Sequence, residues 1–317
     1  MKLGCIFGGL ISAFLAGFFV LRTQTPSIPE PITPVVRTAV PEAPKTRAKP
    51  PNPPDEKWLD LAREVMGTAT RTEKCGPYLL LTDVVDRRLL TACAVLARRL
   101  DALYEERYGL DPTGDPEEAI FLFARSRSFR AFAEHDGRLP VGYAGYSNAA
   151  RGFMALYVGD QPEGVVFTTL AHELTHLVNR RALGPNLPPW LSEGLADGLG
   201  DTATGEGYLP LEGVRGSEPQ ARRLLSALEN EQMGGIGRLV RLDRSGFDRD
   251  VPSFDYEQSA LFVRYLLSDE ELAPRFRQFL RQLTQESYEA ESFLQDLRRD
   301  EATLDAGFRV WIRSVVR

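Results

Sequence analysis

Histidine is scarce in this chain, with only three in 317 residues, and cysteine is as rare. The cysteines, Cys5, Cys75 and Cys93, form no Cys-x-x-Cys pair, which excludes a sulfur-held metal centre of the finger or ribbon type. Long basic runs are missing too. With 44 acidic against 38 basic residues and a formal net charge of -6, the chain lacks the clustered positive surface that phosphates require, so nucleic acid is excluded as a partner. Apolar residues are not short: at 43% of the chain they suffice to bury the core of one or two domains. Against so few histidines, the placement of each one is informative.

Only the N-terminus carries a long apolar run. Leu3 to Leu21 holds no charge, with Lys2 before it and Arg22 after it. About 19 apolar residues match a bilayer-spanning helix and exceed an ordinary signal-peptide core. No Ala-x-Ala cleavage site follows, and Cys5 stands too near the start for a lipoprotein cysteine. Segment 1–22 therefore reads as an N-terminal membrane anchor, with a cleaved signal segment as the alternative. Residues 23–54 then carry ten prolines between Pro26 and Pro54. Such a Pro-rich linker favours extended conformations and acts as a semi-rigid spacer. Charges flanking the apolar run argue for both orientations: Lys2 on one side, Arg22, Arg37, Lys45, Arg47 and Lys49 on the other. The spacer decides for an extracytoplasmic domain, 55–317, tethered to the cell membrane by a single pass, or secreted if the anchor is cut.

Within that domain, hydrophobic spacing predicts strands at Tyr78–Thr82, Ala119–Ala124 and Gly152–Val158, and helices at about Val84–Tyr108 and Ser128–His135. From Gly164 onward the pattern is almost wholly helical, around Val165–Asn179, Trp190–Leu199, Ala221–Leu228, Tyr256–Leu267, Leu272–Leu283 and Leu304–Val316. The expected class is α+β, a small mixed sheet packed on helices with a mainly helical C-terminal lobe. Cys75 and Cys93 form either a disulfide or two buried thiols.

Two of the three histidines fall in Ala171-His172-Glu173-Leu174-Thr175-His176-Leu177. Residues four apart on a helix lie one turn above each other, so both imidazoles can reach one metal ion. Glu173 sits about 100° round the helix from His172, placed to meet a water at the metal without ligating it. The helix is predicted to start near Glu163, after Asp160 and Pro162, with Leu170, Leu174 and Leu177 on its buried side. Two histidines leave a tetrahedral zinc two ligands short, and catalysis needs one of those positions open. Downstream, Pro188 and Pro189 introduce a second apolar helix in which Glu193 and Asp197 share a face. Glu193 is the natural third ligand. Asp197 is placed to accept a hydrogen bond from a ligand histidine and fix its tautomer. The third histidine, His135, falls at a polar helix end and reads as a surface residue.

His172-Glu173-x-x-His176 followed by Trp190-Leu-Ser-Glu193-Gly-Leu-Ala-Asp197 resembles the gluzincin metallopeptidases, and within them the peptidase MA-like proteins of bacteria. The likeness runs from about Tyr78 to the C-terminus, more loosely in Gly142–Tyr146 and in Asp255-Tyr256-x-Gln258-Ser259. It implies a zincin-like, thermolysin-like core: a mixed sheet, a zinc-binding active-site helix, a second helix bearing the glutamate, and a helical lobe. One departure stands out, since many relatives carry an aromatic residue near Asp197 where this chain has Gly198. The resemblance further implies one Zn2+ on His172, His176 and Glu193, and peptide or protein substrates. Glu173 would be the general base, and Tyr256 the oxyanion donor, with Tyr146 and Tyr157 as alternatives. The strand Gly152–Val158 is expected to be the sheet edge that takes up an extended peptide. A catalytically silent binding or scaffold module of the cell envelope is the competing expectation; an aminopeptidase is a lesser one, because no GAMEN-like amine-binding motif is present.

Overall fold

The computed structural model describes residues 54–112, 118–138, 144–205, 218–230, 232, 234–247, 254–284 and 288–316. The predicted anchor, and the linker up to residue 53, lie outside them. Among the described residues no helix is long and apolar enough to cross a membrane.

Asp55 caps the first helix, α1 (Glu56–Met66), accepting a hydrogen bond from the Lys57 amide. A hairpin of β1 (Arg71–Cys75) and β2 (Tyr78–Thr82) leads to α2 (Arg87–Tyr108). This helix begins three residues later than the apolar spacing suggests. The Asp86 carboxylate accepts from the Arg88 and Leu89 amides and so fixes the start. Then come β3 (Glu118–Phe123), α3 (Ser126–His135), β4 (Gly145–Asn148), a 3-10 turn at Ala149–Arg151 and β5 (Phe153–Tyr157). Beyond them the described chain is helical: α4 (Glu163–Leu183), α5 (Pro189–Gly205), α6 (Glu218–Glu229), α7 (Ile236–Arg241), α8 (Arg244–Phe247), α9 (Asp255–Ser268), α10 (Leu272–Leu283), α11 (Ala290–Leu297) and α12 (Glu301–Val315). The protein is α+β.

The five described strands run in the order β1-β2-β3-β5-β4. β2, β3 and β5 are parallel; β1 and β4 pair antiparallel at the two ends. The period-two alternation of a strand sorts the interior residues cleanly between two cores. Ile120, Leu122, Met154 and Leu156 face the larger core with α2, α4, α5 and α9. Ala119, Phe121, Phe123, Phe153 and Ala155 face a smaller, aromatic core that α1 and α3 cover through Trp58, Phe129 and Phe132. Strands buried on both faces explain why β2, β3 and β5 read as continuous apolar runs.

One expectation is corrected here, and one pair of alternatives is decided. β5, predicted to be the sheet edge, lies between β3 and β4, so among the described strands the edge on this side is β4. Of the two alternatives for Cys75 and Cys93, the structure has the buried, unbonded thiols. Burial pushes Cys75 up to about 11 and Cys93 up to about 12, which keeps both protonated and unreactive.

Candidate metal centre

Helix α4 runs through the larger core, burying Val166, Phe167, Leu170, Leu174, Leu177 and Val178. One flank stays partly open and carries His172, Glu173 and His176. Helix α5 packs directly on α4. Pro189 is its first residue, where a missing N–H costs no hydrogen bond, and the Pro188 carbonyl accepts from the Leu191 and Ser192 amides. This start fixes the phase of α5, so that Glu193 points back at α4. On the other side α5 meets α9. A Cβ on Gly194 would stand 2.6 Å from the Ser259 carbonyl oxygen and 2.6 Å from Val263 Cγ2, so only glycine permits this approach.

The donor atoms converge. His172 Nε2 and His176 Nε2 lie 3.1 Å apart, and Glu193 Oε2 is 3.4 Å from the first and 3.5 Å from the second. A tetrahedron whose corners lie about 2.0–2.1 Å from its centre, the usual bond length from imidazole and carboxylate to a small divalent ion, has edges of about 3.3–3.4 Å. The three measured separations scatter about that edge. These three residues can hold a metal ion.

The surrounding groups fix which atoms face the centre. His172 Nδ1 donates to Asp197 Oδ1 at 2.7 Å, and His176 Nδ1 lies 3.0 Å from Ser192 Oγ. In the tautomer with the proton on Nδ1, each neutral imidazole turns an Nε2 lone pair inward. Two lone pairs and a carboxylate facing one point repel one another unless a positive charge sits among them. The ionisation directions show the same demand for positive charge at this point, which a proton on His172 also answers. Burial opposes a charge on His172, but the Asp197 and Glu193 carboxylates outweigh it and hold that imidazole well above its ordinary range. Burial also opposes a charge on Glu193, and the imidazoles of His176 and His172 outweigh it in turn, holding the carboxyl well below the usual range.

Further residues, not foreseen in the sequence, brace this arrangement. Asn179, buried three residues after His176, accepts from the Tyr104 hydroxyl at 2.8 Å and donates to the Ser192 carbonyl at 3.3 Å, joining α2, α4 and α5. The Tyr108 hydroxyl donates to the Leu195 carbonyl at 3.1 Å. It also lies 3.1 Å from where a Cβ of Gly198 would be, so α2 fills the space an aromatic residue there would need. Arg244, from α8, donates to Glu193 Oε1 at 2.8 Å.

Glu173 flanks the site, half-buried, close enough to His172 to favour its charged form. Tyr256, in the first turn of α9, is half-buried and packs edge-on against Phe247 of α8, ring centroids 4.7 Å apart. Tyr146 and Tyr157 belong to the aromatic core on the face of the sheet opposite α4, which removes both as candidate donors. His135 is exposed at the end of α3.

A second buried charged constellation occupies the C-terminal end of α4. Arg181 donates to both oxygens of Asp101 at 2.8 and 3.1 Å, to the Tyr78 hydroxyl at 2.8 Å and to the Pro112 carbonyl at 3.1 Å. Its Nε lies 3.2 Å from Glu118 Oε2, but not aligned for a hydrogen bond. Glu118, 1% exposed, has lost water without gaining an aligned donor among the described residues. Burial, reinforced by Asp101 and only partly offset by Arg181, pushes its carboxyl up to about 7.

No family model matches this chain, and no match is found among the curated proteins.

Proposed function

We propose that this protein is a zinc-dependent endopeptidase of the gluzincin type, tethered at a membrane through its N-terminal segment with the catalytic domain outside the cytoplasm. One observation carries the reading: three donor atoms at tetrahedral spacing, with the outer nitrogens of both imidazoles already engaged, beside a glutamate that is not among them. Two imidazoles and one carboxylate suit zinc better than the all-oxygen shells that calcium and magnesium prefer. Zinc bound there supplies a Lewis acid that polarises a water and a peptide carbonyl.

The chain's own residues supply the remaining steps. His172, His176 and Glu193 hold the ion; Asp197 and Ser192 keep the imidazoles in the correct tautomer. Glu173 accepts the proton of the attacking water and delivers it to the leaving amine. Tyr256 is the donor assigned to the developing oxyanion. A substrate strand adds to the outer edge of β4, the main-chain hydrogen bonds giving affinity without demanding one sequence. The placement of β4 supports this: Gly145 lies against Thr169 of α4, one helical turn before Glu173.

The test is hydrolysis of a peptide library by the full chain, with and without a chelator. Glu173→Gln should keep its metal and lose about 10²–10⁴-fold in turnover. Tyr256→Phe, which keeps the ring on Phe247, should lower kcat while leaving folding alone. Wild-type turnover in Glu173→Gln would sink the assignment of the base. A wild-type protein that binds zinc and cuts nothing would instead be a binding module of the envelope.

A further inference from the structure

Glu193 presents its two oxygens to different partners. Oε2 faces the two imidazoles at 3.4 and 3.5 Å, while Oε1 accepts from Arg244 Nη1 at 2.8 Å. The carboxylate itself is buried, its side chain 4% exposed, so the direction it takes is set by these contacts. The arginine comes from a short turn 51 residues further on, and that turn is firmly placed. The Asp243 carboxylate accepts from the Ser245 hydroxyl at 2.9 Å and the Gly246 amide at 2.7 Å. Phe247 is fully buried against Tyr256.

We propose that Arg244 is a positioning residue that holds Glu193 as a one-oxygen ligand and thereby keeps a coordination position open for the reacting groups. The proposal rests on the zinc reading above. A carboxylate can bind a metal through one oxygen or both, and a second oxygen raises the coordination number from four to five, crowding the position that a catalytic site keeps for the reacting groups. Glu193 can chelate through both oxygens only by turning Oε1 away from the guanidinium and towards the imidazoles. The hydrogen bond to Arg244, charge-assisted on both sides, resists that turn. Charge neutralisation is the lesser part of its action. The arginine side chain is 58% exposed, so water and salt screen its field, whereas the direction of the hydrogen bond survives screening. Orientation, not potential, is what Arg244 contributes.

Cobalt(II) makes the idea visible, because a four-coordinate cobalt site absorbs strongly in the visible and a five-coordinate one weakly. The full chain is loaded with Co2+ as wild type, Arg244→Ala, Arg244→Met, Arg244→Lys and His176→Ala. Alanine and methionine remove the donor, and methionine keeps an aliphatic stem should alanine unsettle the fold. Both should still bind the ion, absorb more weakly in the visible, and lose about 10–100-fold in kcat, the usual effect of removing a group that orients a ligand. Lysine, which can still donate to Oε1, should restore part of both. A donor-free variant with the wild-type unfolding midpoint, spectrum and kcat would overturn the role of Arg244. A wild type that binds no cobalt, or a His176→Ala variant that binds it equally well, would overturn the metal reading itself and this inference with it.

Discussion

Helix α4 carries two buried charged constellations, about one and a half turns apart, and they are built on opposite principles. At its C-terminal end the cation belongs to the protein: Arg181 sits among Asp101, Glu118 and the Tyr78 hydroxyl. At its middle, two imidazole nitrogens and a carboxylate oxygen converge on one point, and the one arginine seen on Glu193 is attached to the outer oxygen. The two buried glutamates report the difference. Glu118 is pushed up to about 7, because burial outweighs a poorly aligned arginine. Glu193 is held well below its ordinary range, because the imidazoles outweigh burial. A cluster of charges inside a fold is therefore not yet a functional site. What distinguishes the second cluster is that its donors point inward, at a place for a charge from outside.

The largest expected effect separates the two by removing a ligand. His176→Ala or Glu193→Ala should lose the bound metal, an effect beyond the 10–100-fold typical of groups behind the ligands. Full metal occupancy by elemental analysis would remove that residue from the ligand set. Next, Arg181→Met should destabilise the domain by about 3–5 kcal/mol, the usual cost of leaving one half of a buried ion pair alone. Metal content per folded chain should not change. A variant as stable as wild type in urea would show that the Arg181 cluster is not what secures this end of α4.

The smallest effect is a dependence on pH. The folded state holds the proton on Glu118 up to about pH 7, whereas the unfolded chain releases it near the ordinary glutamate value of 4.5. Protons are thus retained on the folded side, so this group's contribution to stability falls as pH rises between those values and levels off above the upper one. The span is of order 3 kcal/mol at most. Glu118→Gln should flatten that part of the profile; a wild-type slope in the variant would refute the assignment.

Much of this was legible in the sequence where the information is local. The start of α4 at Glu163 follows from Pro162 and the apolar spacing, and the proline pair announces α5 together with the phase of Glu193 and Asp197. Three buried strands stood out because their residues are apolar on both faces. Other parts were hidden for physical reasons. β4 is a four-residue strand, Gly-Tyr-Ser-Asn, with no apolar alternation, and only its pairing with β5 makes it a strand. β1, Arg-Thr-Glu-Lys-Cys, is likewise polar and exists through its hairpin partner. Arg244 and Glu193 meet across 51 residues, and Arg181 and Asp101 across 80, through contacts that leave no local pattern. Ser192 stands beside Glu193 in the sequence, but its pairing with His176 depends on how two helices pack.

The glycine at 194 has a consequence for how the centre would meet its ion. Because α5 touches α9 there almost backbone to backbone, the main chain that carries Glu193 is held by packing, and only the side-chain torsions remain to adjust its reach to the two imidazoles. The backbone beneath the centre is in this sense completed by folding. Whatever the carboxylate meets, it answers through its own side chain and not by sliding α5 over α9, since that slide would drive main chain into main chain.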